Sequence, residues 1–458
     1  MKDIEESIEF LQSVLEKDAR VDGYEIYASK NSGISIEARD GEVDSFKVRS
    51  SIGVGLRTLS KSKPGFSYST ALDKEALSSM VELSVSSSSG ATADKDISFV
   101  KSSSSPADDS SVGALQIFDQ SIDDSSEEEM LNTALLIEES AKGYDTRVKR
   151  VRKASYGESG QSTRVLNSEG LDVQSDATYF SASVMAVAEG DKVNGEVESQ
   201  MGWDVGMSHK RADIDAEAIG KGASERAVSL LGGKSPGTLK CAAVFENTVV
   251  MDLLGALSGA FLGDNVAKGK SMLGGKVGKK VVSDVINLID DGQLVGGWSS
   301  ARADAEGSVS QRTPLLSSGV LQGFLYDTYW AKRAGKRTTG NSVRHGFKGA
   351  PTVGTRNLFI EAGEKKISEL FSEMGKGLFI TELMGVHTID SVSGDFSLGA
   401  TGFMVEAGEK AYPVRGMAIS GNLLELFSGV ECVGGDLRFI GSTGAPSLLF
   451  SEVDASGA

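Results

Sequence analysis

The chain has 458 residues, enough for two or three domains that each bury a hydrophobic core. Hydrophobic residues make up 40% and charged residues 24%, with no run of 18 apolar residues, which argues against a transmembrane helix. The formal net charge of −17, from 64 acidic and 47 basic residues, argues against general phosphate-backbone binding and thus against a direct nucleic-acid partner.

The N-terminus, MKDIEESIEF, is acidic and helical, with Ile4, Ile8, Leu11 and Leu15 on one face, and lacks the basic start and apolar centre of a signal peptide. Strand signals follow at 24–29, 33–49 and 52–59, and Asp40-Gly41 predicts a hairpin turn between alternating segments. Asp73 is placed to cap a helix carrying Ala76, Leu77, Met80 and Val81. The serine-rich stretches 84–94 and 101–111 are expected to be exposed connections with little apolar surface to bury. A helix over 127–142, strands through TRVKRVRKASYG, QSTRVLNS and TYFSASVMAVAE, and a small-residue helix over 214–231 complete the first half.

Gly232-Gly233 and Pro236-Gly237 mark the main boundary, giving an α+β fold in two parts. Residues 1–233 form an N-terminal α+β region with a mostly antiparallel sheet and a subdivision near 84–111. Residues 234–458 form a large, glycine-rich, β-rich α+β C-terminal domain. In the second part LKCAAVF is a strand and VVMDLLGALSGAFLGD (249–264) reads as one helix, with Val250, Leu253, Leu254, Leu257 and Phe261 in a stripe. Its glycines, Gly255, Gly259 and Gly263, fall four apart; an interior glycine costs about 1 kcal/mol relative to alanine, so close packing or a functional surface is expected there. AKGKSMLGGKVGKK (267–280) lacks the GxxxxGK[ST] pattern and is expected to be a mobile charged loop. VLQGFLYDTYW, RNLFIEAGE, GLFITEL, AGEKAYPVRGMAIS and APSLLFSEV read as strand-like pieces, interrupted by a helix at 422–430 capped by Asn422.

The chain has three histidines. His209 is expected at the surface, whereas His345, beside Arg344, and His387 lie in loops where an imidazole can serve as acid, base or ligand. Arg344, His345 and His387 are therefore the candidate catalytic residues. Ser420 lacks a nucleophile-elbow pattern and an evident histidine base. Cys241 and Cys432 form neither a disulfide framework nor a metal ladder, which fits a reduced, cytoplasmic setting. The basic run KRAGKR (332–337) reads as a solvated turn.

The segment GATGFMVEAGEKAYPVRGMAISGNLLELF (399–427), with NSEG (167–170), TGNSVRHG (339–346) and GVLQGFLYDTYWAKRAG (319–335), resembles the TldD/PmbA family, known as modulators of DNA gyrase, and most closely its PmbA/TldE-like branch. The resemblance spans nearly the whole chain. It implies a cytoplasmic proteolytic system acting on peptides or unfolded segments. Its TldD-type member holds zinc through a helical histidine–glutamate pair, a second histidine five positions after the first, and a C-terminal cysteine. Carried onto this sequence, the first histidine falls on Leu254, the glutamate on Gly255 and the second histidine on Gly259, while Cys432 lies near the cysteine position. Neither leucine nor glycine can ligate zinc. The resemblance therefore implies a metal-free, non-catalytic subunit whose TldD-like partner carries the zinc; a homodimer is the expected state when the chain is isolated. Gly255, Gly259, Gly263, Ser420 and Asn422 are the expected packing or peptide-guiding positions. A self-contained metallopeptidase with an unrecognised site and a stand-alone peptide-binding or regulatory protein are the alternatives.

Overall fold

A computed structural model describes residues 2–104, 114–193 and 195–457. The N-terminal half contains α1 (Lys2–Leu15), β1 (Gly23–Arg39), β2 (Glu42–Ser60), β3 (Lys63–Ser69), α2 (Lys74–Ser89), α3 (Glu127–Tyr144), β4 (Val148–Asn167), β5 (Asp172–Val193), β6 (Glu196–Ser208) and α4 (Ala216–Ser229). The six strands form one antiparallel sheet in the order β3-β2-β1-β4-β5-β6. Asp40 and Gly41 both have positive φ, 55° and 81°, which matches the right-handed twist that a two-residue β1–β2 turn requires.

Residue parity along β1 decides which half of the molecule each side chain meets. Ile26 and Ala28 bury against α1 and α2, and Ile36 and Ala38 bury against α3 and α4. All four even positions point to the same helix-covered face. The odd positions, Glu25, Tyr27, Ser29 and Ser35, face the other way, towards the C-terminal half. On that second face β4 and β5 contribute serines, threonine and glutamine, with Ser155 and Ser183 hydrogen-bonded at 2.9 Å. One sheet surface is thus oily and the other polar, as expected when helices cover only one side. A 14-residue helix is marginal alone, so α1 depends on burial of Ile4, Ile8, Leu11 and Leu15, worth about 1.5–3 kcal/mol each.

The C-terminal half contains β7 (Leu239–Phe245), α5 (Asn247–Ser258), α6 (Gly263–Ala267), β8 (Leu288–Asp291), β9 (Arg312–Ser317), β10 (Val320–Leu321), α7 (Thr328–Arg333), β11 (Ser342–Val343), β12 (Thr352–Val353), β13 (Leu358–Ile360), α8 (Ile367–Met374), β14 (Gly377–Met384), β15 (Asp395–Glu406), β16 (Glu409–Asn422), α9 (Leu423–Ser428), β17 (Val430–Val433), β18 (Arg438–Ile440), β19 (Thr443–Ala445) and β20 (Leu448–Gly457). One mixed sheet runs β16-β15-β14-β7-β20-β17, and β16 also pairs with β20, closing a five-stranded ring. A second sheet runs β10-β9-β8-β13-β19-β18. Helix α5 contributes to the large core between them. The α+β reading, with a mostly antiparallel N-terminal sheet and a more β-rich second part, describes this architecture.

Several sequence expectations need correction. Residues 84–89 are not an exposed connection: α2 continues to Ser89, and Ser84 and Ser88 are buried because small side chains permit a close approach to β2 and β3. Ser84 Oγ lies 2.9 Å from Thr58 Oγ1, and a Cβ at Gly65 would lie 2.0 Å from Ser84 O. Residues 105–111 of the second serine-rich stretch lie outside the described residues. The strand-like piece 320–330 instead turns into α7, because Asp327 accepts a hydrogen bond from Trp330 N and caps it. The 267–280 loop is anchored, with Leu273 fully buried in the core and Ser271 Oγ donating to Ala260 O at 2.5 Å. Among the described residues no helix is long and apolar enough to cross a membrane.

Candidate functional site

The 249–264 segment is two helices rather than one. α5 ends at Ser258, a tight turn covers 259–261, and Leu262 is extended before α6 begins. Each glycine then has a different setting. A Cβ at Gly263 would lie 2.2 Å from the Tyr326 ring, so only glycine fits there. Gly259 is the C-cap of α5, and its carbonyl accepts from Asn265 Nδ2 at 2.8 Å. Gly255 is exposed, with nothing within 4 Å of a Cβ position. Close packing within this chain explains Gly263 and leaves Gly255 without an internal reason.

Val249, Val250, Leu253, Leu254 and Leu257 bury one side of α5, and Asp252 and Gly255 lie on the other. Leu254 belongs to the core, so its side chain points away from the surface that Gly255 presents. Two carboxylates accompany that outward surface. Burial pushes the Asp252 carboxyl above its ordinary range. Glu382 of β14 is also raised by burial, with Arg226 opposing the shift and the Asp252 charge adding to it. Arg226 of α4 pairs with Glu246, at the start of α5, at 2.7 Å and lies over the Trp203 ring of β6. Arg438 Nη2 lies 2.5 Å from Asp204 Oδ1, so β18 is tied to β6 beside the same helix. The sequence signal for Asp252 and Glu382 was present: each is the lone acid in an apolar element.

The candidate catalytic residues do different work. The Arg344 side chain is buried, paired with Glu25 of β1, and its Nε donates to Ala305 O at 3.1 Å. It is a tie between the two halves. His345 is exposed on the following turn, and His387 is exposed on a short turn at 386–388 that packs against α5. Ser420 is exposed in β16 opposite Asp454 of β20. Asn422 caps α9 through Leu424 N and donates to Asp395 Oδ1 at 2.9 Å. His209 is not at the surface: it is 1% exposed, with Nδ1 2.6 Å from Thr178 O and Nε2 3.0 Å from Gly297 O. Trp298, far along the chain, covers it at 5.6 Å between ring centroids.

Metal fit can be judged from the donors present. Among the described residues no group of three or more His, Cys, Asp and Glu side chains is placed to hold a metal ion. Cys432 is half-buried, and burial pushes its thiol above the ordinary range. The α5 surface therefore does not fit zinc.

Three family models cover most of the chain: PmbA/TldA metallopeptidase domain 1 over residues 24–88, the central domain over 120–231 and the C-terminal domain over 238–457. The chain is 28% identical to the metalloprotease PmbA of Escherichia coli O157:H7, covering 95% of this chain and 92% of that one. A Thermotoga maritima protein described as a candidate modulator of DNA gyrase superposes with a TM-score of 0.89 at 28% identity, covering 99% of this chain and all of that one. TldE from Thermococcus kodakarensis shares the fold, with a TM-score of 0.87 at 22% identity over 98% of this chain and 100% of that one. Matched from its first strand to its last, the chain belongs to the PmbA/TldD family.

Proposed function

We propose that this chain is the zinc-free subunit of a TldD/TldE-type peptidase assembly that handles peptides or unfolded protein segments. The observation that carries the reading is α5: in a metallopeptidase family member matched along its length, this helix presents glycine and a single carboxylate, with no grouping of three zinc donors among the described residues. The partner is a TldD-like subunit that supplies zinc and performs the hydrolysis in the cytoplasm. The exposed Gly255 surface, open to a neighbouring backbone, and the polar sheet face support a role in closing the chamber and guiding an extended chain. His345 and His387, both exposed, take no part in the chemistry.

The test is reconstitution with the co-expressed TldD-like protein, measuring zinc per subunit and cleavage of an unfolded peptide. The expected result is zinc on the partner alone and turnover that requires both chains. Stoichiometric zinc on this chain together with unaided cleavage overturns the proposal in favour of a self-contained peptidase. Saturable peptide binding without complex formation overturns it in favour of a stand-alone binding protein.

A further inference from the structure

A cleft of about 320 Å³ lies between the polar face of the N-terminal sheet and the loops of the C-terminal half. Tyr27 and Tyr179 come from the sheet, Ser342 from β11, and Trp298 and Arg356 from the facing loops. A second hollow of about 410 Å³ continues from it, sharing Tyr179 and Trp298 and floored by the serine- and glycine-rich sheet face. The two together form a groove with an aromatic waist.

The polar groups at the closed end are unevenly satisfied. Arg356 is 8% exposed; its backbone N–H donates to Asp290 at 2.7 Å and its Nε to Ser299 O at 2.9 Å. Neither Nη forms a hydrogen bond or ion pair among the described residues. The neighbouring carboxylates are committed elsewhere. Asp304 accepts from the backbone N–H groups of Glu306, Ser308 and Ser342, and Asp290 accepts from Asn341 Nδ2 at 2.6 Å. Ser342 Oγ is fully buried with no partner, and the Tyr27 hydroxyl has none among the described residues. The Tyr179 hydroxyl, within electrostatic reach of Arg356 and of Tyr27, donates to Gln161 at 3.2 Å. A buried guanidinium with an open fork, an orphaned serine hydroxyl and an unbonded phenol thus line one cavity.

Burial works against the Arg356 charge and the nearby Asp304 and Asp290 carboxylates offset part of that, but neither fills the Nη fork, which stays open to an acceptor. A planar carboxylate matches the guanidinium fork and accepts from both hydroxyls. We infer that this cleft binds the free carboxylate of an extended peptide, with Arg356 as the anchor, Tyr27 and Ser342 as supporting donors, and the serine-lined groove receiving the preceding residues. The inference rests on the peptide-handling reading above and specifies which end of the substrate this subunit grips. Glycine- and serine-rich sheet surface is permissive towards side chains, so the end group carries the recognition.

The experiment titrates the full chain with a seven-residue Gly/Ser/Ala peptide bearing a free C-terminus, and with the same peptide C-terminally amidated, following Trp298 fluorescence in a Trp203→Phe, Trp330→Phe background. Saturable binding of the acid is expected, with amidation weakening it at least tenfold. Tyr27→Phe and Ser342→Ala, each removing one hydroxyl, should weaken it three- to tenfold, and Arg356→Lys more. Should Arg356→Lys fail to fold, the two hydroxyl deletions carry the test. Equal affinity for acid and amide overturns the carboxylate assignment while leaving the peptidase-subunit proposal to its own reconstitution test. Wild-type affinity in Tyr27→Phe and Ser342→Ala, or no saturable binding of the acid, also overturns it. Inorganic phosphate provides the remaining arm: displacement of the peptide by phosphate at lower concentration than by acetate assigns the cleft to phosphate and overturns the inference.

Discussion

Arg344 and Glu25 form a buried ion pair across the two halves of the molecule, each side chain 1% exposed. The Arg344 guanidinium also stacks over Tyr27 at 4.7 Å, and Arg57 approaches the same carboxylate at 3.2 Å. Removing Arg344 leaves Glu25 with Arg57, whereas removing Glu25 leaves Arg344 without a carboxylate. Breaking a buried pair from one side costs about 3–5 kcal/mol. Glu25→Ala should therefore destabilise more than Arg344→Ala, which should sit at the lower end of that range. Denaturant midpoints of the two variants check the order, and the reverse order would show that Arg57 does not compensate.

Gly255 and Gly263 make opposite predictions from one sequence pattern. Gly255→Ala meets open space and gains helix propensity, so stability should rise by up to about 1 kcal/mol. Gly263→Ala drives a methyl into the Tyr326 ring and should cost about 1–3 kcal/mol. Thermal midpoints of the isolated chain distinguish them. In the reconstituted assembly Gly255→Leu should leave this chain folded yet reduce peptide turnover; unchanged turnover would detach the α5 surface from function.

What the sequence made legible was local. Strand signals at 24–29 and 33–49 were visible, and Asp40-Gly41, Asp73 and Asn422 announced their turn and caps because each acts on backbone groups a few residues away. That 23–39 is one strand with Ile26, Ala28, Ile36 and Ala38 on a single face emerges only in the fold. That Leu254, Gly255 and Gly259 cannot ligate a metal needs only their residue identities once the family resemblance places the motif on them. The misreadings came from distant partners. His209 sits in a polar stretch but is covered by Trp298, and Ser84 is buried because Gly65 lets β3 close on it. The cleft residues were missed for the same reason: Tyr27, Ser342 and Arg356 share a cavity only after the two halves meet.

Stability should depend on pH through the buried carboxyls. Burial pushes Asp290 and Asp327 up to about 6, from an ordinary value of 3.8. The folded state then holds protons that the unfolded chain releases, so this contribution is fully present below pH 4 and is lost as pH rises from about 4 through 6. A shift of this size in Asp290 corresponds to at most about 3 kcal/mol. Asp290→Asn cannot titrate, and its stability relative to wild type should improve progressively across that window. Urea unfolding at pH 4, 5, 6 and 7 checks this; a constant difference between the proteins contradicts it.

His209 offers the sharpest stability test of the contact between halves. Its two ring nitrogens face carbonyl oxygens of Thr178, in β5, and Gly297, in the C-terminal half. The ring is also 5.0 Å from Tyr179 and 5.6 Å from Trp298 between centroids, so it fixes the aromatic waist of the groove. His209→Ala removes the ring N–H donor from this pair of buried carbonyls and opens a cavity; the one carbonyl that loses its hydrogen bond costs about 1–3 kcal/mol. A longer amide recovers one of the two contacts, so His209→Gln should fall between alanine and wild type. Trp298 emission, read in the Trp203→Phe, Trp330→Phe background, should shift to the red in His209→Ala as water reaches the indole. Equal stability of the alanine variant and wild type, with unshifted emission, would mean that Tyr179 and Trp298 hold the waist without the imidazole.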